Sequence, residues 1–218
     1  MRNLISVIMP IKNGENYMQE AIDSIKNQKQ EIELIIVNDG STDNTEQIAK
    51  DNGCIILNHQ QSRGQVVAKN TGLKVATGDY IMFCDHDDLL NENAISIMLD
   101  EFEKDKELKV VNAKIKDFIS SDAKNKEQQI KHDAYYGCLA GSMLFKKEVF
   151  DVIGLFNEEV QAGEIIDLMS KLEKYNLKVK KIDFISSRRR IHDTNFGKTQ
   201  QKTEFKDYAA LLRARIKR

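Results

Sequence analysis

The sequence predicts an α/β fold, a mostly parallel central sheet flanked by helices, with a less regular second half. Three observations carry this. Apolar strand-like runs alternate with segments of helical spacing through the first half of the chain. Leu34-Ile35-Ile36-Val37 is continuously apolar, as in a parallel strand buried on both faces. The run Tyr80-Ile81-Met82-Phe83-Cys84 ends abruptly in Asp85-His86-Asp87-Asp88, and open α/β sheets hold ligands beyond the carboxyl ends of their strands.

The elements follow in order. Ile5 to Met9 reads as a strand closed by Pro10, the only proline. Tyr17 to Gln28 has apolar residues at Tyr17, Ala21, Ile22 and Ile25, a helical spacing. Asn38-Asp39-Gly40-Ser41-Thr42-Asp43 is a turn, with Thr42 or Asp43 placed to cap a helix running through Ala49. Cys54 to Leu57 is a third strand, Gln65 to Ala76 a helix and Tyr80 to Cys84 a fourth strand. Ala94 to Lys104 reads as a helix, and Lys109 to Ile119 as one or two short strands. Ser120 to Asp133 is polar and aperiodic, a mobile loop. Gly141 to Phe150 is a strand-to-helix region, and Ile165 to Tyr175 a helix. From Thr203, residues Phe205, Tyr208, Ala209, Leu212 and Ile216 form one helical face opposite lysines and arginines.

A chain of 218 residues suits one large domain, or one with a small appendage. An apolar fraction of 41% supports a real core, and a net charge of −1 excludes a global basic field for nucleic acid. Cys54, Cys84 and Cys138 form neither a disulfide framework nor a zinc spacing, which fits a reducing compartment. No secretory h-region and no run of about 18 apolar residues is seen, so the expectation is a cytoplasmic protein.

The acidic cluster is the strongest chemical signal. Asp85, Asp87 and Asp88 repel one another without a cation, and burying them unpaired costs several kcal/mol per charge by rough estimate. Hard oxygen ligands in that number suit Mg²⁺ or Mn²⁺. The competing reading is a solvated turn capping a helix from near Asn91. Asp39 reads either as an ordinary turn residue before Gly40 or as an acceptor for the imide N–H of a pyrimidine. Arg63, Lys69, Arg188, Arg189 and Arg190 are candidate phosphate partners, although three consecutive arginines also suit a solvated edge strand. His192 can ligate a metal or donate to a phosphate. Glu164 and Asp167 either favour a helix dipole or supply a general base.

In sequence order, these pieces resemble the family-2 glycosyltransferases of GT-A fold. The resemblance starts at Ser6-Val7-Ile8-Met9-Pro10 with Asn13-Gly14, and runs through Asn38-Asp39-Gly40-Ser41-Thr42-Asp43 and Arg63-Gly64. It continues in Ala68-Lys69-Asn70-Thr71-Gly72, Ala76-Thr77-Gly78-Asp79-Tyr80-Ile81 and the Asp85-His86-Asp87-Asp88 cluster, the family's DxD motif. Gly141-Ser142-Met143-Leu144-Phe145 and Gly154-Leu155-Phe156-Asn157-Glu158 resemble the acceptor-side segment.

The resemblance implies a Rossmann-like sheet and an inverting, metal-dependent transfer from a nucleotide-diphosphate sugar, UDP-sugar favoured, to a glycan or lipid-linked hydroxyl. It implies one domain over 1–198, with a nucleotide-sugar-binding half at 1–92 and an acceptor half at 93–198. A basic amphipathic helix at 199–218 would follow. Asp39 would hold the base, with the main chain of Pro10 and Ile11 alongside it. Asn13, Arg63, Lys69, His86 and Arg190 complete the expected donor contacts. Asp85, Asp87 and His192 would ligate Mn²⁺ or Mg²⁺, and Asp85 would contact the ribose or the metal. Lys69 stands where the family commonly has Arg.

The sequence departs from the family at its base region, which reads Glu164-Ile165-Ile166-Asp167, so that Ile165 replaces the usual Asp. Glu164 or Asp167 would then serve as base. The alternative is a catalytically impaired nucleotide-sugar-binding subunit partnering an active transferase. A nucleotidyltransferase is disfavoured, because no glycine- and arginine-rich loop follows the first strand. The C-terminal helix would pack on the domain or a homodimer partner, or lie on the inner face of an anionic membrane.

Overall fold

The structure is a computed structural model that describes residues 3–123, 130, 133–138, 141–159, 164–193 and 195. The expected C-terminal helix, Gln161 to Gly163 and most of the loop after Ser120 lie outside the described residues. The first strand, β1 (Ile5–Ile11), is buried along its whole length. It pairs in parallel with β2 (Ile32–Asn38) on one side and β4 (Tyr80–Phe83) on the other. Beyond β2 lies β3 (Ile55–Asn58), also parallel. The connecting helices are α1 (Met18–Lys26), α2 (Thr45–Asp51) and α3 (Gln65–Val75).

This path builds two walls of core. On β1, Ile5, Val7, Met9 and Ile11 face one wall, while Ile8 faces the other. On β2, Leu34 and Ile36 oppose Ile35 and Val37 in the same way. That two-sided burial is why both strands read as continuous apolar runs. At Gly72 an added Cβ would sit 2.4 Å from Ile8 Cγ2, so α3 comes closest to β1 where it lacks a side chain.

The second half adds β5 (Leu89–Leu90), α4 (Ala94–Lys104), β6 (Val110–Ile119), β7 (Tyr135–Tyr136) and β8 (Met143–Lys146). It closes with α5 (Glu148–Ile153), α6 (Glu164–Lys174) and β9 (Val179–Ile191). The sheet order is β3-β2-β1-β4-β8-β6-β9-β5, with β7 paired to β6. β8 is antiparallel to both β4 and β6, whereas β9 runs parallel to β6. Among the described residues, then, one mixed sheet spans both halves.

Three expectations need correction. Lys109 to Ile119 forms one strand of 10 residues rather than short pieces, because β8 and β9 flank it on both sides. The arginine run is not on a solvated edge: β9 lies between β6 and β5 there, and Arg190 is buried. The acidic cluster does not cap α4, whose N-cap is Asn93 in the left-handed region.

Chain direction fixes where a ligand can go. From β1 the chain crosses to β2 and β3, then returns to β4 on the opposite side of β1. The carboxyl ends of β1, β2 and β4 thus lie along one rim, where a doubly wound sheet offers its ligand crevice. Asn13, Asp39 and Asp85 to Asp88 all follow strands at this rim.

Candidate active site

The rim is built by stitching the loop after β1 to the turn after β2. Asn13 is spent on this: its N–H donates to Ser41 Oγ at 2.9 Å, and its Oδ1 accepts from the Thr42 N–H at 2.9 Å. The N–H of Gly14 donates to Thr45 Oγ1 at 2.9 Å. Asp43 accepts from the Thr45 N–H at 3.1 Å, but the N-cap of α2 is Asn44 rather than the expected Thr42 or Asp43.

Asp39 follows β2, and its N–H donates to Ile11 O at 2.8 Å, so the carboxylate sits beside the end of β1. It is 4% exposed and receives four hydrogen bonds from the protein. Oδ1 accepts from His59 Nδ1 at 2.7 Å and the Arg63 N–H at 2.8 Å. Oδ2 accepts from Ser62 Oγ at 2.7 Å and the Gly64 N–H at 2.9 Å. Burial alone would raise the Asp39 pKa, but His59, Arg63, Ser62 and Gly64 outweigh it and hold the carboxyl below its ordinary value. The Arg63 side chain itself is exposed; its contribution here is its main-chain N–H.

After β4 the chain turns through the acidic cluster. Asp85 Oδ1 accepts from Gln65 Nε2 at 3.0 Å. Burial, and after it the charges of Asp87 and Glu164, outweigh the attraction of Lys69 and raise the Asp85 pKa. Asp88 Oδ1 accepts from the Arg190 N–H at 2.9 Å, yet burial and its two acidic neighbours push its pKa well up. Asp87 differs. Burial opposes its ionisation, but the hydrogen bond to His192 and the charges of His86 and His192 bring its pKa down. Asp87 Oδ2 and His192 Nε2 meet at 2.8 Å. His86 packs its ring beside Gly14 at the crevice.

Arg190 is a keystone of this turn. Its guanidinium lies between the rings of Tyr17 and Phe118, 4.9 and 4.8 Å from their centroids. It donates from Nε to Asp87 O and from Nη2 to Glu20 Oε2, each at 2.9 Å. Arg190 thus holds the backbone of Asp87. The exposed arginine of the run is Arg188, its guanidinium 5.4 Å from the Phe118 ring centroid. Arg189 donates to Tyr135 OH at 3.1 Å.

Lys69 of α3 reaches Glu164 at the start of α6, with Nζ to Oε1 at 2.8 Å. The pair is buried, with side chains 4% and 8% exposed. Asn70 pins the segment leading into α6: it donates to Phe156 O at 3.0 Å and accepts from the Phe156 N–H at 2.9 Å. Asp167, by contrast, pairs with Lys171 at 2.8 Å along its own helix. Ile165 is partly buried, packed against the core cluster on this side of the sheet.

The structure therefore joins Lys69 to Glu164 and Asp87 to His192, and leaves Asp167 on a separate ion pair. The expected trio of metal ligands is brought together only in part, because Gln65 holds one oxygen of Asp85. Among the described residues, no group of three or more His, Cys, Asp or Glu side chains could hold a metal ion. Sequence reading missed His59, Ser62, Gln65 and Tyr17. His59 comes opposite Asp39 only through the sheet, since Asn38 and Asn58 are register partners and Asp39 and His59 each come next.

The chain is similar to known proteins in sequence and in fold. The family described as Glycosyl transferase family 2 matches residues 6–157. A glycosyltransferase of Rickettsia typhi is 32% identical over 239 aligned residues, covering 99% of this chain and 72% of that protein. The glycosyltransferase GlyG of Streptococcus pneumoniae is 40% identical over 119 residues, 51% of this chain and 40% of that protein. Among solved structures, a mannosyltransferase of Pyrobaculum calidifontis in complex with GDP-Man and Mn²⁺ has a TM-score of 0.74 at 15% identity. That match covers 98% of this chain and 64% of that one. TarS of S. aureus in complex with UDP-GlcNAc has a TM-score of 0.65 at 22% identity, covering 88% and 59%. The fold is that of the GT-A glycosyltransferases, and the chain spans about 60% of these solved relatives. On its sequence match from Ser6 to Asn157, the chain belongs to glycosyl transferase family 2.

Proposed function

We propose that the chain transfers a sugar from a nucleotide-diphosphate sugar to a hydroxyl acceptor with inversion at the anomeric carbon, and that Glu164 is the general base. The observation that carries this is the Lys69–Glu164 pair. It sets a buried carboxylate within electrostatic reach of Asp85 in the acidic turn, and Lys69 occupies only its Oε1. Oε2 is left to take the proton of the acceptor hydroxyl. The acceptor oxygen then bonds to the anomeric carbon from the face opposite the leaving group. The bond from that carbon to the diphosphate oxygen breaks, and its electron pair leaves with the nucleoside diphosphate.

A divalent ion fits the turn only in part. Asp87 Oδ2 and His192 Nε2 face one another as an oxygen and a nitrogen donor, a mixed set that suits Mn²⁺ better than Mg²⁺. When bound, such an ion would neutralise charge developing on the leaving diphosphate. Support for a nucleotide-sugar donor comes from relatives of the same fold that bind UDP, UDP-GlcNAc and GDP-Man. A relative named as a minor teichoic acid biosynthesis protein of Bacillus subtilis, 44% identical over 109 residues, points the acceptor toward a cell-envelope glycan or lipid-linked polymer. A cytoplasmic site of action, peripheral to the membrane, belongs to the same reading. Among the described residues, no helix is long and apolar enough to cross a membrane.

The test is Glu164→Gln against Asp167→Asn, assayed with Mn²⁺ and a panel of nucleotide sugars. Glu164→Gln should lower kcat about 10²- to 10⁴-fold with donor affinity kept, and Asp167→Asn should have a small effect. Unchanged turnover in Glu164→Gln refutes the assignment. A second reading, a donor-binding subunit without turnover, is favoured by Ile165 packing into the core where the family carries an acid. Tight donor binding with no transfer or hydrolysis by the unaltered protein would select it.

A further inference from the structure

We propose that the Ser62 hydroxyl is a place-holder for the ring N–H of the donor's nucleobase, and that His59 is a positioning residue that holds Asp39 ready for the exchange. The inference rests on reading Asp39 as the base contact and goes beyond it.

The four donors on Asp39 are not equivalent. The N–H groups of Arg63 and Gly64 belong to the main chain leading into α3. His59 is fixed from both ends, Nδ1 on Asp39 and Nε2 3.0 Å from Thr71 Oγ1, which itself donates to Val67 O at 2.9 Å inside α3. Its side chain is only 7% exposed. Ser62 Oγ is the exception, a rotatable hydroxyl on an exposed residue.

The loop cannot readily lift away to free the carboxylate. Gly40 has φ +72°, and an added Cβ there would lie 2.8 Å from Ser62 N and 3.0 Å from Gln61 C. The turn after β2 and the loop after β3 are thus seated backbone against backbone, which only glycine permits. The His59 N–H also donates to Asn38 O at 2.9 Å. With the loop pinned, rotation of one hydroxyl about χ1 is the smallest change that opens an acceptor on Oδ2.

The occupant of that acceptor needs an N–H donor. Uracil, thymine and guanine present a lactam N–H on the ring. Cytosine presents a bare ring nitrogen there, which would oppose the carboxylate lone pair. The chain should therefore bind lactam-bearing nucleotides and reject cytidine ones. Removing the competing hydroxyl should tighten binding, whereas releasing the rear support should weaken it.

Titration calorimetry of the full chain with UDP and CDP in the presence of Mn²⁺ tests this. Ser62→Ala should tighten UDP about threefold or more, since one net hydrogen bond no longer competes, and leave CDP weak. His59→Gln keeps a group near Thr71 but loses the donor to Asp39, and should weaken UDP about tenfold. His59→Asn retains a donor near the Nδ1 position and should bind UDP nearly as the unaltered protein does. Melting curves identify any variant that has lost its fold. Asp39→Asn is the control. If it binds UDP undiminished, the reading of Asp39 as base contact fails. If it weakens UDP while Ser62→Ala fails to tighten and His59→Gln fails to weaken, that reading stands and the place-holder inference is overturned. Equal weakening in His59→Asn and His59→Gln overturns the positioning role.

Discussion

At the scale of single residues, two buried or half-buried carboxylates show what hydrogen-bond donors do to an acid. Asp39 and Glu33 are held ionised by donors. Glu33 accepts from Ser6 Oγ, from Thr77 N–H and Oγ1, and from the Gly78 N–H at 3.0 Å. For both, burial would raise the pKa, and the hydrogen bonds outweigh it and lower the pKa. A carboxyl with a lowered folded pKa contributes stability that is complete above the unfolded value of about 4. That contribution is lost as pH falls through the folded value. Asp39→Asn and Glu33→Gln should therefore each flatten the fall in Tm between about pH 5 and pH 3, because neither amide titrates. Melting curves across this range check it, and slopes equal to that of the unaltered protein would contradict the direction.

At the scale of elements, α3 organises the site. Gln65 reaches Asp85, Lys69 reaches Glu164, Asn70 reaches Phe156 and Thr71 reaches His59, so one helix spaces the acidic turn, the proposed base and the loop that holds Asp39. Lys69 and Asn70 are buried, which a reading of apolar period alone would not allow; they are tolerated because each is partnered. Asn70→Ala should leave the Phe156 N–H and C=O unpaired in the interior and destabilise the protein by about 2–4 kcal/mol. Denaturant unfolding measures it, and a loss below about 0.5 kcal/mol would show the pinning to be dispensable.

The same scale explains what the sequence could and could not reveal. Strands β1, β2 and β4 were legible because both faces are apolar, and α4 was legible to its ends. The long strand β9 was not. Lys180, Lys181, Asp183 and the three arginines give it no apolar alternation, and its strand character comes from pairing with β6 across the sheet. Of the site, Asp39, Glu164 and the acidic turn were legible as acids beside strand or helix ends. The partners that give each acid its role, His59 and Lys69 among them, are set by tertiary approach.

At the scale of the whole molecule, the fold gathers Asp85, Asp87 and Asp88 into one turn after β4. Asp88 and Asp85 have raised pKa values, burial first and neighbouring acids next, even with Lys69 and the arginines close by. Such a crevice should bind a divalent cation and a diphosphate together more readily than either alone, since each offsets the other's charge. A ligand at 100 times its Kd adds about 2.7 kcal/mol of stability, or about 5–10 °C in Tm for a chain of this size. UDP with Mn²⁺ should therefore raise Tm by that order, and chelation of the metal should remove most of the gain. Asp87→Asn should lose the metal-dependent part of the shift, measured against its own ligand-free Tm, because His192 would then face an amide rather than a carboxylate. UDP shifting Tm equally with and without Mn²⁺ would remove the metal from the mechanism while leaving the nucleotide site and its Asp39 loop intact.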